Sequence, residues 1–230
     1  MTKIAIIQSN YIPWKGYFHI IQKADDFIFL DTAQYTQRDW RNRNRIKGPN
    51  GLIWLTVPNN GTQSLNINEV VIDNSSPWYE NHFRNLVNSY RKCKHFDFYY
   101  NFLENIYLKQ RWQNLSAFNK YLIKTICDFL NIQTRFHNSE NFTYHGGKNE
   151  RIITMVKHLG GTHYLTGPSA RHYIEPELFA DNLIELEYMD YSGYPEYPQP
   201  WGEFCHEVSI FDLLFCTGPE AGKYIWGNNK

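Results

Sequence analysis

The chain has 230 residues and a formal net charge of zero, with 23 basic and 23 acidic side chains. It is 42% hydrophobic and 20% charged, which excludes an intrinsically disordered chain and suffices for a full hydrophobic core. Proteins that bind long nucleic acids are usually basic, so the neutral balance argues against nucleic acid as the main partner. Aromatic residues make up 17% of the chain, which suits either an aromatic core or pockets for flat or sugar-like ligands.

Cysteine and histidine spacing predicts no metal site. The four cysteines form no CxxC pair, and the nine histidines show neither HxH nor HExxH spacing. The first residues lack signal-peptide anatomy, and no apolar run approaches the length of a membrane helix. We therefore expect a cytoplasmic protein with reduced thiols and no membrane insertion.

The beginning of the chain predicts an α/β domain. Residues 3–8 and 27–30 read as buried, parallel strands, and residues 17–24 between them read as a helix. Ligands of such sheets bind beyond the carboxyl ends of the strands. The polar residues that fall there are Gln8, Asn10 and Asp31.

A basic hairpin follows. Residues 41–47 and 52–57 flank Gly48-Pro49-Asn50-Gly51, which is a hairpin signal. Period two in the first arm predicts one face with four cations and an opposite face with Asn42, Asn44 and Ile46. The cations are Arg41, Arg43, Arg45 and Lys47. Neighbouring like charges repel, and arginine suits bidentate capture of phosphate or carboxylate, so an anionic ligand is expected here.

Two other interpretations of the basic face stay open. It could be a solvated edge strand whose charges prevent aggregation. Salt bridges to Asp31 or Asp39 could also use up one or two of the arginines. After the hairpin, residues 65–72 alternate and predict another strand, with Leu65, Ile67 and Val71 facing inward.

The fold class predicted overall is α/β, a mostly parallel sheet with a β-hairpin and a helical middle segment. Three helices are predicted in the middle, over residues 78–93, 96–112 and 115–130. The remaining elements are strands over 132–136, 162–166 and 183–188, and helices over 148–159 and 207–215. We divide the chain into an N-terminal α/β portion (1–76), an inserted helical segment (77–131) and a C-terminal α/β portion (132–230).

Two loops could hold an anion. In the loop that precedes the first helix, residues 10–19, backbone N–H groups and the helix dipole favour phosphate. This loop has the placement, though not the histidines, of the adenylate-binding loop of nucleotidylyltransferase-like folds. At the second turn, Gly167 to Arg171, Ser169 and Arg171 could bind an anion or could simply cap a helix.

The candidate catalytic residues are His206 and His82 as proton carriers and Asp31, which could orient the amine. His206 precedes a helix with acids nearby and could be a general base, or could pin the start of that helix. His82 lies on a helical stripe that argues equally for packing. Cys205 and His206 are sequence neighbours that point apart in an extended segment, which argues against a Cys/His nucleophile.

Motifs over nearly the whole chain resemble the WbqC-like protein family. They include Ile7-Gln8 through Pro13-Trp14, Gln34-Tyr35, Arg38 through Lys47, Trp54 through Pro58, Tyr164 through Gly167, Tyr194 through Tyr197, and Phe204 with His206, Ser209 and Asp212. The block Trp-Arg-Asn-Arg-Asn-Arg-Ile-Lys is the most specific of them. A proline is commoner in the family where this chain has Ser9, and Cys205 occupies a variable position.

The resemblance implies a role in bacterial O-antigen or other surface-polysaccharide biosynthesis. It implies transfer of an acyl or aminoacyl group, such as glycyl, to the amine of a nucleotide-linked amino sugar. It carries no catalytic assignment, and the acyl donor and cofactor stay unknown. The alternatives are an ATP-dependent ligase of nucleotidylyltransferase-like fold and a non-catalytic sugar-nucleotide-binding module.

Residues and resemblance together define the expected site. Arg41, Arg43 and Arg45 would hold the pyrophosphate. The rings of Tyr11, Trp14 and Tyr17 would stack on the base or the sugar. His206 would deprotonate the attacking amine, or Asp31 would orient it. The substrate-binding residues expected are Gln8, Asn10, Tyr11, Trp14, Tyr17, Gln34, Arg38, Arg41, Asn42, Arg43, Asn44, Arg45, Lys47, Ser169 and Arg171.

Overall fold

A central parallel sheet organises the molecule, for which a computed structural model describes residues 1–227. Its strands are β1 (Lys3–Ile7), β2 (Asp26–Phe29), β5 (Arg135–Asn138), β6 (His163–Thr166) and β7 (Glu185–Tyr188). They run in the order β5-β2-β1-β6-β7, and every neighbouring pair is parallel. A separate antiparallel hairpin consists of β3 (Arg43–Gly48) and β4 (Gly51–Thr56).

Helices cover both faces of the sheet. They are α1 (Lys15–Lys23), α2 (Trp78–Tyr90), α3 (Phe96–Glu104), α4 (Leu115–Phe129), α5 (Lys148–His158), α6 (Pro176–Asp181) and α7 (Ile210–Thr217). A π-helical turn, Asn105–Lys109, continues α3. Within the described residues, no helix combines the length and the apolar character needed to cross a membrane. The mixed α/β fold class with a parallel sheet and a hairpin is thus confirmed.

Alternation along the strands separates two hydrophobic layers. Ile4 and Ile6 of β1 pack with Val156 of α5, whereas Ala5 packs in the larger cluster with α1 and the helical segment. Both faces of a parallel sheet are covered in this way, so its strands are apolar on both sides.

The helical segment shares the larger cluster with the rest of the chain. Phe118 of α4, Ile46 of β3 and Phe215 of α7 are buried in the same cluster as Ala5. The three portions proposed from the sequence therefore meet in one hydrophobic core.

The hairpin agrees with its sequence signal at the turn. Gly48 pairs with Gly51, which leaves Pro49 and Asn50 as a two-residue loop. Gly51 has φ +110°, in a region that favours glycine. The strand begins only at Arg43, so the expectation that Arg41 belongs to it is wrong.

The strand expected over residues 65–72 is also wrong. A 3-10 turn, Ile67–Glu69, occupies this segment because the side chains of Asn66 and Glu69 form a capping box around it. Ile67 is buried as expected, but Val71 is exposed. The sequence also gave no signal for α6, and the last helix starts at Ile210, behind a Ser209 cap, instead of at residue 207.

Candidate functional site: a cleft between the first loop and the basic hairpin

A cleft of about 360 Å³ opens beyond the carboxyl end of β1. One wall is the β1–α1 loop, and the other is β3 with the segment before it. The lining residues are Asn10, Pro13, Trp14, Trp40, Asn44, Arg45 and Glu207. Asn10 and the hairpin thus meet at the sheet edge where α/β proteins bind ligands, as expected from the sequence.

The first wall contains a strained residue, which the hairpin holds in place. Ile12 has φ +36°, a rare conformation for a β-branched residue. Asn44 Nδ2 donates hydrogen bonds to the carbonyl oxygens of Tyr11 (3.2 Å) and Ile12 (2.9 Å). Asn44 Oδ1 accepts the N–H of Arg45 at 2.8 Å. Asn44 therefore links the two walls and fixes the shape of the cleft.

The start of α7 closes the back of the cleft. The N–H of Ser209 donates to the carbonyl oxygen of Arg45 at 2.8 Å, and the N–H of Ile210 donates to that of Pro13 at 2.9 Å. These bonds bring Glu207 beside the arginines, although it lies 162 residues beyond Arg45 in sequence.

Arginines and tryptophans interleave on the outer face of the hairpin. The guanidinium carbon of Arg43 lies 4.5 Å from the centroid of the Trp54 ring, and that of Arg45 lies 5.5 Å from it. The Trp40 ring is 5.8 Å from that of Trp54 and is tilted by 31°. The two rings are 43% and 45% exposed. On this surface the tryptophan rings could stack on a planar group of a ligand, and the arginines could bind its negative charge.

The three arginines have buried, unused donors. Among residues 1–227, the Nε atoms of Arg41, Arg43 and Arg45 are buried without a hydrogen-bond partner. A buried donor left unsatisfied costs about 1–3 kcal/mol. An acceptor-rich group such as phosphate would remove that cost wherever it could reach these atoms.

Two of the arginines already contact acidic side chains. Arg45 Nη2 lies 2.8 Å from Glu207 Oε2, and Arg41 Nη2 lies 3.8 Å from Asp39 Oδ2. Arg41 Nη1 also donates to Asn10 Oδ1. Burial by itself would raise the pKa of Asp39, but a hydrogen bond from Thr36 and the charge of Arg41 hold it below its usual value. Asp39, and not Asp31, therefore uses up part of the charge of Arg41.

The side chains of Lys47 and Asn42 form hydrogen bonds within the fold and do not face the cleft. Lys47 is buried, and its Nζ donates to Gln199 Oε1 at 2.8 Å and to the carbonyl oxygen of Glu203. Asn42 Nδ2 donates to the carbonyl oxygen of Val57 at 3.0 Å. The expected four-cation face is thus reduced to Arg43 and Arg45, because a later loop covers Lys47 and Arg41 precedes the strand.

The expectation of ligand stacking does not hold for Tyr11 and Tyr17, because both are buried. The Tyr17 hydroxyl donates to the carbonyl oxygen of Gln8 at 2.9 Å. The Tyr11 hydroxyl lies 2.8 Å from His82 Nδ1 and 2.5 Å from the Tyr107 hydroxyl.

His82 and Asp31, two of the expected catalytic residues, are likewise enclosed. His82 Nε2 donates to the carbonyl oxygen of Thr56 at 3.1 Å, and burial lowers the pKa of His82 to about 4. Asp31 is fully buried and accepts hydrogen bonds from the N–H of Ser9 and the hydroxyl of Ser116. These side chains support the wall from behind and do not reach the cleft.

The remaining expected residues lie outside the cleft lining. Gln34 is exposed at an isolated bridge with Asn66, and Arg38 is exposed with φ +55°. Ser169 and Arg171 are exposed on the 3-10 turn after β6, where the Arg171 guanidinium lies 3.8 Å from the Tyr188 ring. Gln8 is partly buried at the end of β1, and only its backbone oxygen has an assigned bond.

His206 is partly buried beside the cleft. Its ring centroid lies 4.6 Å from that of Phe204, and its buried Nδ1 has no hydrogen-bond partner in the part of the chain that the structure describes. Burial and the charge of Lys15 lower the pKa of His206 below its usual value, against an opposing effect of Glu196. The imidazole is therefore neutral at pH 7 and able to accept a proton.

Sequence reasoning missed Lys15, Trp40, Trp54 and Glu207. Lys15, the first residue of α1, is only 3% exposed, and its Nζ lies 4.8 Å from the Tyr194 ring. Burial lowers the pKa of Lys15 to about 8, although Asp212 opposes this. Of the four, Trp54 could have been found by pairing Gly48 with Gly51, which places it opposite Arg45.

The side chains of the described residues suit an anion better than a metal ion. Among residues 1–227, no group of three or more His, Cys, Asp or Glu side chains is arranged to hold a metal ion. The arginine–tryptophan surface and the cleft beside it could hold a phosphorylated ligand or cofactor through the guanidinium donors.

Fold and site define an α/β protein with an arginine–tryptophan cleft beyond the central strand of its sheet. A sequence model described as "WbqC-like protein family" matches residues 8–224, and the chain belongs to this family. The chain is 44% identical over 227 residues to the uncharacterized protein Rv1507c of Mycobacterium tuberculosis, with 98% of each chain covered. No solved structure matches this chain.

Proposed function

We propose that the protein transfers an acyl or aminoacyl group to the amine of a nucleotide-linked amino sugar in surface-polysaccharide biosynthesis. The observation that carries this proposal is the pair of guanidinium groups beside Trp54. The guanidinium carbons of Arg43 and Arg45 lie 4.5 Å and 5.5 Å from the centroid of that half-exposed ring, and among residues 1–227 their buried Nε atoms have no hydrogen-bond partner. A nucleotide diphosphate supplies the matching chemistry, which is a planar base and two adjacent phosphates.

The binding mode follows from this complementarity. The base would stack against Trp54 or Trp40, and the diphosphate would lie on Arg43 and Arg45. The sugar would then extend into the cleft toward Asn10 and Trp14. A phosphate that reaches Arg45 must compete with the carboxylate of Glu207, which is 2.8 Å away and 76% exposed.

The reaction needs one proton acceptor. The amine attacks the carbonyl carbon of the donor, the new C–N bond forms, and the bond to the leaving group breaks. The proton lost by the amine passes to His206, which is neutral at pH 7 and lies next to the cleft residue Glu207 in sequence. The leaving group departs with the bonding electron pair and takes this proton from His206, which returns the imidazole to its neutral form.

Calorimetry with a panel of nucleotide-linked amino sugars tests binding. We expect Arg43→Ala with Arg45→Ala to weaken binding at least about tenfold, because hydrogen bonds to charged groups contribute about 1.5–3 kcal/mol each. Arg91→Ala, at the exposed C-terminal end of α2, is the matched control and should not change affinity. Equal affinity of the double variant and the control would contradict the proposed site.

Mass spectrometry of reactions with acyl thioesters, or with an amino acid and ATP, tests the chemistry. An acylated sugar without ATP consumption supports the transferase. Formation of AMP together with product would contradict the transferase and support the ATP-dependent ligase. Binding without product across the donor panel would support the non-catalytic sugar-nucleotide-binding module. His206→Ala should lose turnover while keeping affinity, and full turnover would remove its catalytic role.

A further inference from the structure

Two cysteines from distant parts of the chain meet away from the cleft. Cys93 lies in the turn between α2 and α3, and Cys216 lies in the last turn of α7, 123 residues later. Their Sγ atoms are 3.7 Å apart, and both side chains are partly exposed. The N–H of His95 donates to the carbonyl oxygen of Phe215 at 3.1 Å, so the backbone on both sides is held together.

We propose that Cys93 and Cys216 form an oxidisable dithiol, which a small-molecule disulfide such as glutathione disulfide converts to an intramolecular disulfide. The Cys93 thiolate attacks one sulfur of the small disulfide, a mixed disulfide forms, and one thiol leaves. The sulfur of Cys216 then attacks Cys93 Sγ, the protein disulfide forms, and the second thiol leaves. The two protons released by the cysteines end on the two departing thiols.

The electrostatics of the pair favour Cys93 as the residue that reacts first. The hydrogen bond with Cys216 lowers the pKa of the Cys93 thiol, although burial and Asp212 act in the opposite direction. The same hydrogen bond, together with burial, raises the pKa of Cys216. The thiolate is the attacking species in disulfide exchange, so Cys93 reacts with the oxidant and Cys216 resolves the mixed disulfide.

The geometry leaves a short movement to bond formation. The distance between the two sulfur atoms must decrease from 3.7 Å to about 2.05 Å. Cys93 lies in the turn between α2 and α3, so no strand of the sheet has to move. The other two thiols differ. Cys127 is buried, and burial raises its pKa, whereas Cys205 hydrogen-bonds to no other thiol within residues 1–227.

The test treats the folded, full-length protein with a series of glutathione and glutathione-disulfide mixtures. Intact-mass and peptide analysis should show the loss of two hydrogens and a linked Cys93–Cys216 peptide, reversed by dithiothreitol. Cys205→Ser should react like the wild type. Cys216→Ser should stop at a glutathione adduct on Cys93, and Cys93→Ser should form no linked peptide.

Stability gives a second readout. A bond that closes a loop of more than 100 residues should raise the Tm by at least about 5 °C, because it restricts the unfolded chain. The Cys93→Ser variant should show no such shift under the same conditions. A wild-type protein that keeps a glutathione adduct on Cys93, forms a link through Cys127 or Cys205, or forms no link at all would overturn the proposal.

Discussion

Arg43 and Arg45 share one face of β3 but differ in their surroundings. Arg45 contacts the carboxylate of Glu207, whereas Arg43 lies over the ring of Trp54 and, within the described residues, forms no salt bridge. An anion that binds to Arg43 has no salt-bridged carboxylate to displace, although the charge of Asp39 also acts on Arg43, whereas one that binds to Arg45 must displace Glu207. We therefore expect Glu207 to weaken anion binding at Arg45.

Removal of the Glu207 charge should tighten binding of nucleotide diphosphates. Exposed salt bridges contribute about 0–1 kcal/mol, so Glu207→Gln should lower the Kd up to about fivefold, as measured by calorimetry. Glu177→Gln, on the exposed surface of α6, is the control. An unchanged or higher Kd for Glu207→Gln would show that the carboxylate does not compete with the ligand.

Trp54 should contribute through stacking. Stacking of a base on an aromatic ring contributes about 1–3 kcal/mol, so Trp54→Ala should raise the Kd for a nucleotide sugar about 5- to 100-fold. Binding of inorganic diphosphate, which has no base, should change much less. Equal losses for the two ligands would show that Trp54 acts by holding the arginines and not by contacting the base.

Lys15 should make stability depend on pH above neutrality. Its pKa is about 8 in the folded protein and 10.5 without burial, so below pH 8 both states hold the proton. Between those values the unfolded state binds more protons, and stability therefore rises with pH. The unfolding free energy of the wild type minus that of Lys15→Met should therefore rise from pH 7.5 to 9.5, by about 1 kcal/mol per pH unit at most. Urea titrations at several pH values measure it, and a constant difference would contradict the buried, charge-penalised state of Lys15.

The hairpin and the first loop act as one unit because Asn44 joins them. Its side chain satisfies two carbonyl groups of a strained turn and one N–H of its own strand. The loop by itself would not hold Ile12 at φ +36°, since such a conformation costs about 1–3 kcal/mol. The shape of the cleft thus depends on contacts between residues 33 and 32 positions apart in sequence.

Loss of this link should affect stability and binding together. Asn44→Ala leaves buried backbone groups without partners and should lower the free energy of unfolding by about 2–3 kcal/mol in urea titrations. Nucleotide-sugar affinity, measured under conditions where the variant stays folded, should fall as well. Asn101→Ala, on the exposed side of α3, provides the comparison, and a similar small effect for both would remove the structural role of Asn44.

The molecule as a whole is built around one large hydrophobic cluster. Residues from β1, the hairpin, the helical segment and α7 all belong to it, so no portion can bury its apolar surface by itself. We therefore expect a single cooperative unfolding transition. Circular dichroism at helix wavelengths and tryptophan fluorescence should give the same midpoint in urea. Two separate midpoints would instead identify the segment 77–131 as an independent folding unit.

Local patterns along the chain were sufficient to predict the α/β class, the parallel strands and the hairpin. Apolar runs, helical periodicity and turn residues indicate which neighbouring side chains are buried. Such short-range patterns are sufficient to predict β1, β2 and α4. Alternation in the basic arm also correctly separated Asn42, Asn44 and Ile46 from Arg43 and Arg45.

Contacts between distant segments settled the composition of the cleft. A period-two pattern places a side chain on one face of a strand, but it does not say which later segment covers that face. The loop with Gln199 and Glu203 covers Lys47, whereas Glu207 arrives beside Arg45 through α7. Tyr11 and His82 of α2 are buried against each other, and Asp31 is buried against Ser116 of α4. These contacts join residues far apart in sequence, so no local pattern contains them.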